Sequence, residues 1–404
     1  MRTLDGASLA STLSNVPNPL KPLLVCFSHL RWSFVRQRPQ HLLIRAARSY
    51  RVLFLEDPLF APVDEAYLDV SQGPGAVTVI VPILPEGIDE ASEMALRRKL
   101  FDEYLDGFNA PISVGWYYSP LALKFSDHLD AEVCVFDCMD ELSKFLGAPA
   151  DLEEFEEKLL RRADVVFAGG RSLYVAKSRR HQNVHFLPSS VDAAHFRQAR
   201  SWPGVDPHGE ISHPRIGFFG VIDERMDLAL LDAMAASRKN WQFVMIGPVV
   251  KIDPAVLPVR ANIHWLGQKS YDDLPAFLAH WDVGFMPFAM NEATRYISPT
   301  KTPEFLSAGL PVVSTPIADV VTTYGLPGHV EIAATAPEMI EKIGDLLVRP
   351  REAWLARVDK FLASTSWDMT WEKMIEAIAG QANSELDRNM VFPSAIEIGE
   401  AGRV

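Results

Sequence analysis

The sequence is poor in cysteine, in net positive charge and in long apolar runs. Three cysteines among 404 residues are too few for a disulfide framework. Cys26, Cys134 and Cys138 each lie in or beside an apolar, strand-like run, where buried reduced thiols are expected. Cys134 and Cys138 lack the C-x-x-C spacing and a second ligand pair, so no metal site is expected. The formal net charge of −13 argues against a nucleic-acid binder, which needs a basic face to displace counterions. No run approaches the roughly 20 apolar residues that span a bilayer. No basic segment followed by a long apolar one opens the chain, so no secretory signal is expected. A cytoplasmic location follows as the expectation, with peripheral contact at the inner face of the membrane left open. Familiar signatures are missing too: there is no G-x-x-x-x-G-K-[ST], no G-x-G-x-x-G at a strand end, no H-E-x-x-H and no G-x-S-x-G.

What is present is a regular alternation of apolar runs and amphipathic stretches. After a loose arm at 1–20, short apolar runs at 23–27, 51–55, 77–81, 112–116, 133–136, 165–168 and 184–187 read as buried strands, with helical stretches at 42–48, 92–108, 151–162 and 173–180 between them. This first α/β domain is expected over 21–198. Residues 199–214 are rich in Pro, Gly and His without apolar periodicity, and read as a linker. A second series of strands, at 216–219, 241–246, 263–266, 283–286, 312–314 and 330–332, makes a second domain over 215–366. A C-terminal helix is expected at 367–384 and a tail at 385–404. Two similarly sized doubly wound α/β domains facing a central cleft form a natural bisubstrate architecture, with ligands beyond the carboxyl ends of strands.

The most informative stretch runs from Tyr296 to Pro316. A loop with Ser298 and Pro299 leads into a short helix with Lys301, Thr302 and Glu304, followed by a Gly309 stop and an apolar strand. A helix entered through such a turn aims unpaired N–H groups and its positive dipole end at whatever precedes it, which suits an anion. Lys301 adds mobile charge, and Glu304 on the same face can accept hydrogen bonds from sugar hydroxyls. Other strand ends fit a nucleotide. Gly220 would let backbone approach a pyrophosphate that Arg225 could neutralise, Gly247 closes the next strand, and His264 and Trp265 could hold a base. In the first half, Arg31, Trp32, Arg36 and Arg38 lie in a loop after a strand, where they could steady an anionic acceptor. Asp137 and Asp140 lie just past another strand end, and His29 past the first. Each has an ordinary alternative: a glycine turn, a core tryptophan, a helix-capping aspartate, a solvated basic edge.

The chain resembles the GT-B glycosyltransferases of the broad family-four group, most closely bacterial polysaccharide-synthesis members of the teichuronic-acid type. The resemblance covers residues 21 to about 380. Its carrying motifs include F-S-H-L-R-W-S-F-V-R-Q-R-P-Q-H-L (Phe27–Leu42), F-D-C-M-D-E-L (Phe136–Leu142), G-V-I-D-E-R-M-D (Gly220–Asp227), N-I-H-W-L-G (Asn262–Gly267) and S-P-T-K-T-P-E-F-L-S-A-G-L-P-V-V-S (Ser298–Ser314). It implies a hexosyl transfer without a metal or other cofactor. A nucleotide-sugar co-substrate, UDP-linked by expectation, would be held by the C-terminal half, with Glu304 on the ribose and Lys301 near the diphosphate. A glycan or lipid-linked acceptor would be held by the N-terminal half, in the synthesis of a surface polysaccharide. Two departures stand out. The first of the family's two glutamates falls at Tyr296, which leaves the holding of the donor sugar and the stereochemical course open. The arginine usual after the first glycine is Val221, leaving Arg225 as candidate. If the reaction inverts, a base is needed, with Asp140 or Asp137 preferred and His29 as alternative. Two other functions fit the same architecture: a nucleotide-sugar 2-epimerase, and a non-catalytic nucleotide-sugar-binding partner of a synthesis complex.

Overall fold

The computed structural model describes residues 21–391, with side chains through 381. The arm at 1–20 lies outside the described residues, as does the tail beyond 391. The described chain divides into two compact units, one comprising 21–34 with 39–132 and the other 35–38 with 133–391.

In the first unit, β1 (Leu23–Ser28) is buried along its whole length, as a continuous apolar run requires of a strand covered on both faces. It pairs in parallel with β2 (Arg51–Glu56). The unit continues through β3 (Leu59–Ala61), β4 (Tyr67–Gly73), β5 (Val77–Pro85) and β6 (Ile112–Tyr117), in the order β3-β5-β2-β1-β6, with β4 antiparallel along β5. The sequence pattern missed β3 and β4. Most of the residues of β4 are exposed, so it carries no apolar run to betray it. The helix Glu90–Asp106 starts where the Asp89 carboxylate accepts from Ser92 N at 2.7 Å, a standard N-cap.

The second unit holds two parallel sets of strands. The first is β7 (Ala131–Cys138), β8 (Val165–Ala168) and β9 (Val184–Phe186). The second is a six-stranded sheet of β10 (Arg215–Phe219), β11 (Gln242–Ile246), β12 (Ile263–Trp265), β13 (Val283–Met286), β14 (Val312–Ser314) and β15 (Glu331–Ile332). Its spatial order is β12-β11-β10-β13-β14-β15, a doubly wound arrangement whose winding reverses between β10 and β13. Ligands of such sheets sit at that reversal, outside the carboxyl ends of the strands. The helix Trp367–Val391 packs against β8.

Two contacts fix the parts of this unit. Asp319, in the second set, accepts from Arg171 N at 2.6 Å, from Ser172 N at 3.0 Å and from the Ser172 hydroxyl. It thereby caps the helix Arg171–Lys177 of the first set. A side chain on the preceding Gly170 would meet Asp319 Oδ2 at 2.5 Å, so glycine there is a condition of the contact. The segment read as a linker is likewise anchored. Arg200 donates to Ser307 O at 2.8 Å and to both oxygens of Asp359 at 2.9 and 2.8 Å.

His208, within that segment, is buried. It receives Trp281 Nε1–H on Nε2 at 2.7 Å and lies 2.8 Å from Asp206 Oδ1 through Nδ1, so the neutral ring carries its proton on Nδ1. Burial pulls its pKa from 6.5 down to about 4, with Asp206 opposing. Because the folded value lies below the unfolded one, the unfolded chain takes up the proton first. Stability should therefore fall as pH drops from about 6.5 towards 4. Urea unfolding midpoints across this range should show that fall, and His208→Gln should remove this part of the slope.

Candidate active site

The winding reversal between β10 and β13 brings glycine to the strand ends. Gly220 follows β10 with φ +146, and Gly247 follows β11 with φ +150. A Cβ on Gly247 would lie 1.7 Å from Gly220 O, and one on Gly220 would meet Lys301 Cε at 3.2 Å. The floor of the cleft is therefore bare backbone, the surface a diphosphate can approach closely. Gly220, Arg225, Asp140, Ser298, Pro299 and Lys301 line one cleft together with Gln37, Ser189 and Phe288. Its enclosed part measures ≈ 120 Å³, short of the roughly 300 Å³ or more of a pocket enclosing a drug-sized ligand. It therefore suits a small charged group such as a phosphate.

The helix Lys301–Ser307 starts at this cleft. Lys301 Nζ lies 3.1 Å from Glu304 Oε2 and 3.2 Å from Thr300 Oγ1, and stands 4.9 Å from the Phe219 ring centroid. Burial pushes the Glu304 carboxyl pKa up, and Lys301 opposes the shift. The pair is held in place, yet the Lys301 side chain keeps 15% exposure, enough to meet an anion.

Arg225 is gripped by Asp223 through Nε at 3.0 and 3.1 Å and Nη2 at 2.6 Å. Asp223 is buried, so the guanidinium is aimed by a bidentate partner and shows its remaining face to the cleft. Asp140 stands in the same cleft. Burial raises its pKa to about 6, while the nearby Arg225 and Lys251 cations hold it down and Asp223 pushes it up. A carboxylate whose pKa is raised to about 6 and that is open to a cleft can exchange a proton with a bound hydroxyl.

Other expected residues are placed elsewhere. Asp137 is still inside β7, which runs on to Cys138. It forms a pair with Arg38, Nε to both oxygens at 2.9 and 3.0 Å, and both side chains are fully buried. Arg38 Nη1 also donates to Leu187 O at 2.8 Å. A closed pair has no reach to a hydroxyl or an anion, so the catalytic reading of Asp137 and the acceptor reading of Arg38 give way to a structural one. Arg36 stacks 4.8 Å from the Tyr271 ring centroid. In the first unit, Arg31 donates to Glu56 Oε2 at 3.0 Å and to Pro58 O at 2.9 Å. Trp32 packs edge-on to Phe54 and beside Gly73, and His29 is half-buried in the same loop. His264 Nε2 bonds Gln242 Oε1 at 2.8 Å and Trp265 Nε1 donates to Pro258 O at 3.2 Å. Tyr296 lies under the Arg295 guanidinium at 5.4 Å. Thr302 is buried with its hydroxyl on Met286 Sδ at 3.4 Å, a packing position rather than a ligand contact. Asp223 is the functional partner that sequence reasoning left without a role, and Ser189, just past the end of β9, could have been flagged by the strand-end rule. Among the described residues no cluster of three or more His, Cys, Asp or Glu side chains could hold a metal ion, and no helix is long and apolar enough to cross a membrane.

Residues 213–349, most of the second sheet and its helices, match the family described as glycosyl transferases group 1. A glycosyltransferase named for teichuronic acid biosynthesis, TuaH of Bacillus subtilis (strain 168), is 23% identical over 216 residues, which cover 50% of this chain and 54% of that protein. The match thus spans about half the length of that curated relative. The sucrose-phosphate synthase of Thermosynechococcus elongatus shares the fold at a TM-score of 0.67 and 14% identity, over 91% of this chain and 100% of that one. Anabaena HepE, solved in complex with UDP and glucose, does so at 0.62 and 13%, over 88% and 99%. WaaG, a glycosyltransferase involved in lipopolysaccharide biosynthesis, does so at 0.59 and 16%, over 89% and 100%. Such structural likeness fixes the fold as GT-B, with two Rossmann-like domains. The fold and the match across the second sheet together make residues 213–349 similar to the glycosyl transferases of group 1.

Proposed function

We propose that the protein transfers a sugar from a UDP-sugar to a glycan or lipid-linked acceptor in the synthesis of a surface polysaccharide. The observation that carries this reading is the convergence, at the winding reversal, of bare backbone at Gly220, the start of the helix Lys301–Ser307, and the Lys301 and Arg225 cations around one cleft. Glycosyl transfer needs charge stabilisation at the departing diphosphate, and these groups supply it from fixed positions. Glu304, held by Lys301, is the acceptor for ribose hydroxyls. Asp140 takes the proton from the attacking hydroxyl. The teichuronic-acid relative and the UDP-bound neighbour support the donor and pathway class assigned here.

Titration calorimetry with UDP, GDP and ADP should show selective UDP binding. Lys301→Gln, which keeps a donor towards Glu304 but removes the charge, should weaken it about 10- to 100-fold, the worth of a charge-assisted contact. Unchanged affinity would remove Lys301 from the site. Absence of binding to all three nucleotides would overturn the reading, and turnover of a UDP-sugar without acceptor would replace it by epimerisation.

Asp140→Asn should leave UDP affinity intact and collapse transfer. With wild-type protein, kcat should decline below a pH of about 6 as Asp140 protonates. Removing the cation that favours the ionised form, in Arg225→Gln, should move that limb to higher pH. A pH-independent kcat would shift the base elsewhere.

A further inference from the structure

We propose that Phe145 is a positioning residue that ties Arg225 of the cleft, and Lys251 near it, to the loop carrying Asp140, so that donor binding and placement of the proton acceptor are one event. This rests on the glycosyltransferase reading above.

The Phe145 ring contacts two cations, its centroid 5.2 Å from the Arg225 guanidinium and 5.0 Å from the Lys251 ammonium. Arg225 comes from the turn after β10 and Lys251 from the loop after β11, whereas Phe145 belongs to the segment after β7. An aromatic ring attracts both cations through its quadrupole without neutralising either. Arg225 is already paired with Asp223, and the ring adds a second hold on it without a second negative charge. Lys251 adopts φ +62, a left-handed conformation that a lysine enters at a cost and keeps only where its surroundings hold it. The contact is backed by the main chain: Leu146 N donates to Glu224 Oε1 at 3.3 Å, and Asn291 Nδ2 donates to Glu224 O at 3.3 Å. Glu224 and Arg225 are neighbours in sequence, so the loop grips the turn at two adjacent points.

Asp140 sits five residues before Phe145 and lines the cleft beside Arg225. Arg225, held by Asp223, gives the ring a fixed seat, and the seated ring fixes the segment that bears Asp140, so a diphosphate that orders Arg225 orders that segment as well. Phe145 touches no reacting group in this scheme; it acts through Arg225 and through its own backbone.

The test compares wild type, Phe145→Leu and Phe145→Trp in three measurements: UDP affinity, steady-state transfer, and amide hydrogen exchange of residues 139–148 with and without UDP. Wild type should show slower exchange of this segment when UDP is bound. Phe145→Leu keeps apolar bulk and removes the ring, so it should lose that protection and about tenfold in kcat while UDP affinity changes by less than about threefold. Phe145→Trp should recover both. Equal protection and equal kcat in Phe145→Leu, in a protein that binds UDP, would overturn the coupling and leave the glycosyltransferase reading standing. A loss in Phe145→Leu that Phe145→Trp does not restore would also overturn it, since bulk rather than the π face would then matter. Wild type that binds no UDP would overturn the glycosyltransferase reading itself, and this inference with it.

Discussion

Close approach of bare backbone at the ends of two adjacent strands is the constraint on which the rest of the site depends. With Gly220 O where a side chain on Gly247 would have to be, β10 and β11 finish against each other without intervening bulk. That leaves a shallow floor of peptide groups at the winding reversal of the sheet. Lys301 can lie across this floor because Gly220 carries nothing to stop it, and the helix Lys301–Ser307 begins at the same spot. The charges are arranged around a space that the glycines create.

The buried ion pairs of the second unit fall into two kinds, and exposure separates them. Arg38–Asp137 is closed on both sides, and Lys177 is enclosed with Glu141 and Glu156. Such groups are costly to break and offer nothing to a ligand. Lys301–Glu304 and Arg225–Asp223 bury the carboxylate and leave the cation 15% and 23% exposed. The carboxylate aims the cation, and the cation keeps a face for an incoming anion. A strongly acidic chain with a formal charge of −13 can thus maintain a local cationic site.

Much of the fold is legible in the sequence because its strands are continuous apolar runs covered on both faces. Of the strands that escaped notice, β4 lacks such a run, and β3 is only three apolar residues left largely uncovered. The cleft was legible where function sits at strand ends, as with Gly220 and Lys301. It was not legible where one or two residues of strand length decide the outcome. Asp137 and Asp140 look alike in sequence, but β7 continues to Cys138, which keeps Asp137 among the buried residues and delivers Asp140 to the cleft. The partners of Arg38 and Arg225 illustrate the same limit. One lies 99 positions away and the other two positions away, and no pattern of charge along the chain distinguishes them.

The Asp319 contact gives the second unit a discrete mechanical character. The carboxylate of one lobe supplies the hydrogen-bond acceptor for the first N–H groups of a helix in the other, and Gly170 leaves room for nothing between them. Breaking the contact would strand donors that the helix itself cannot satisfy. The carboxylate therefore pins the two sets of strands to each other at the first turn of a helix, right beside Ser298.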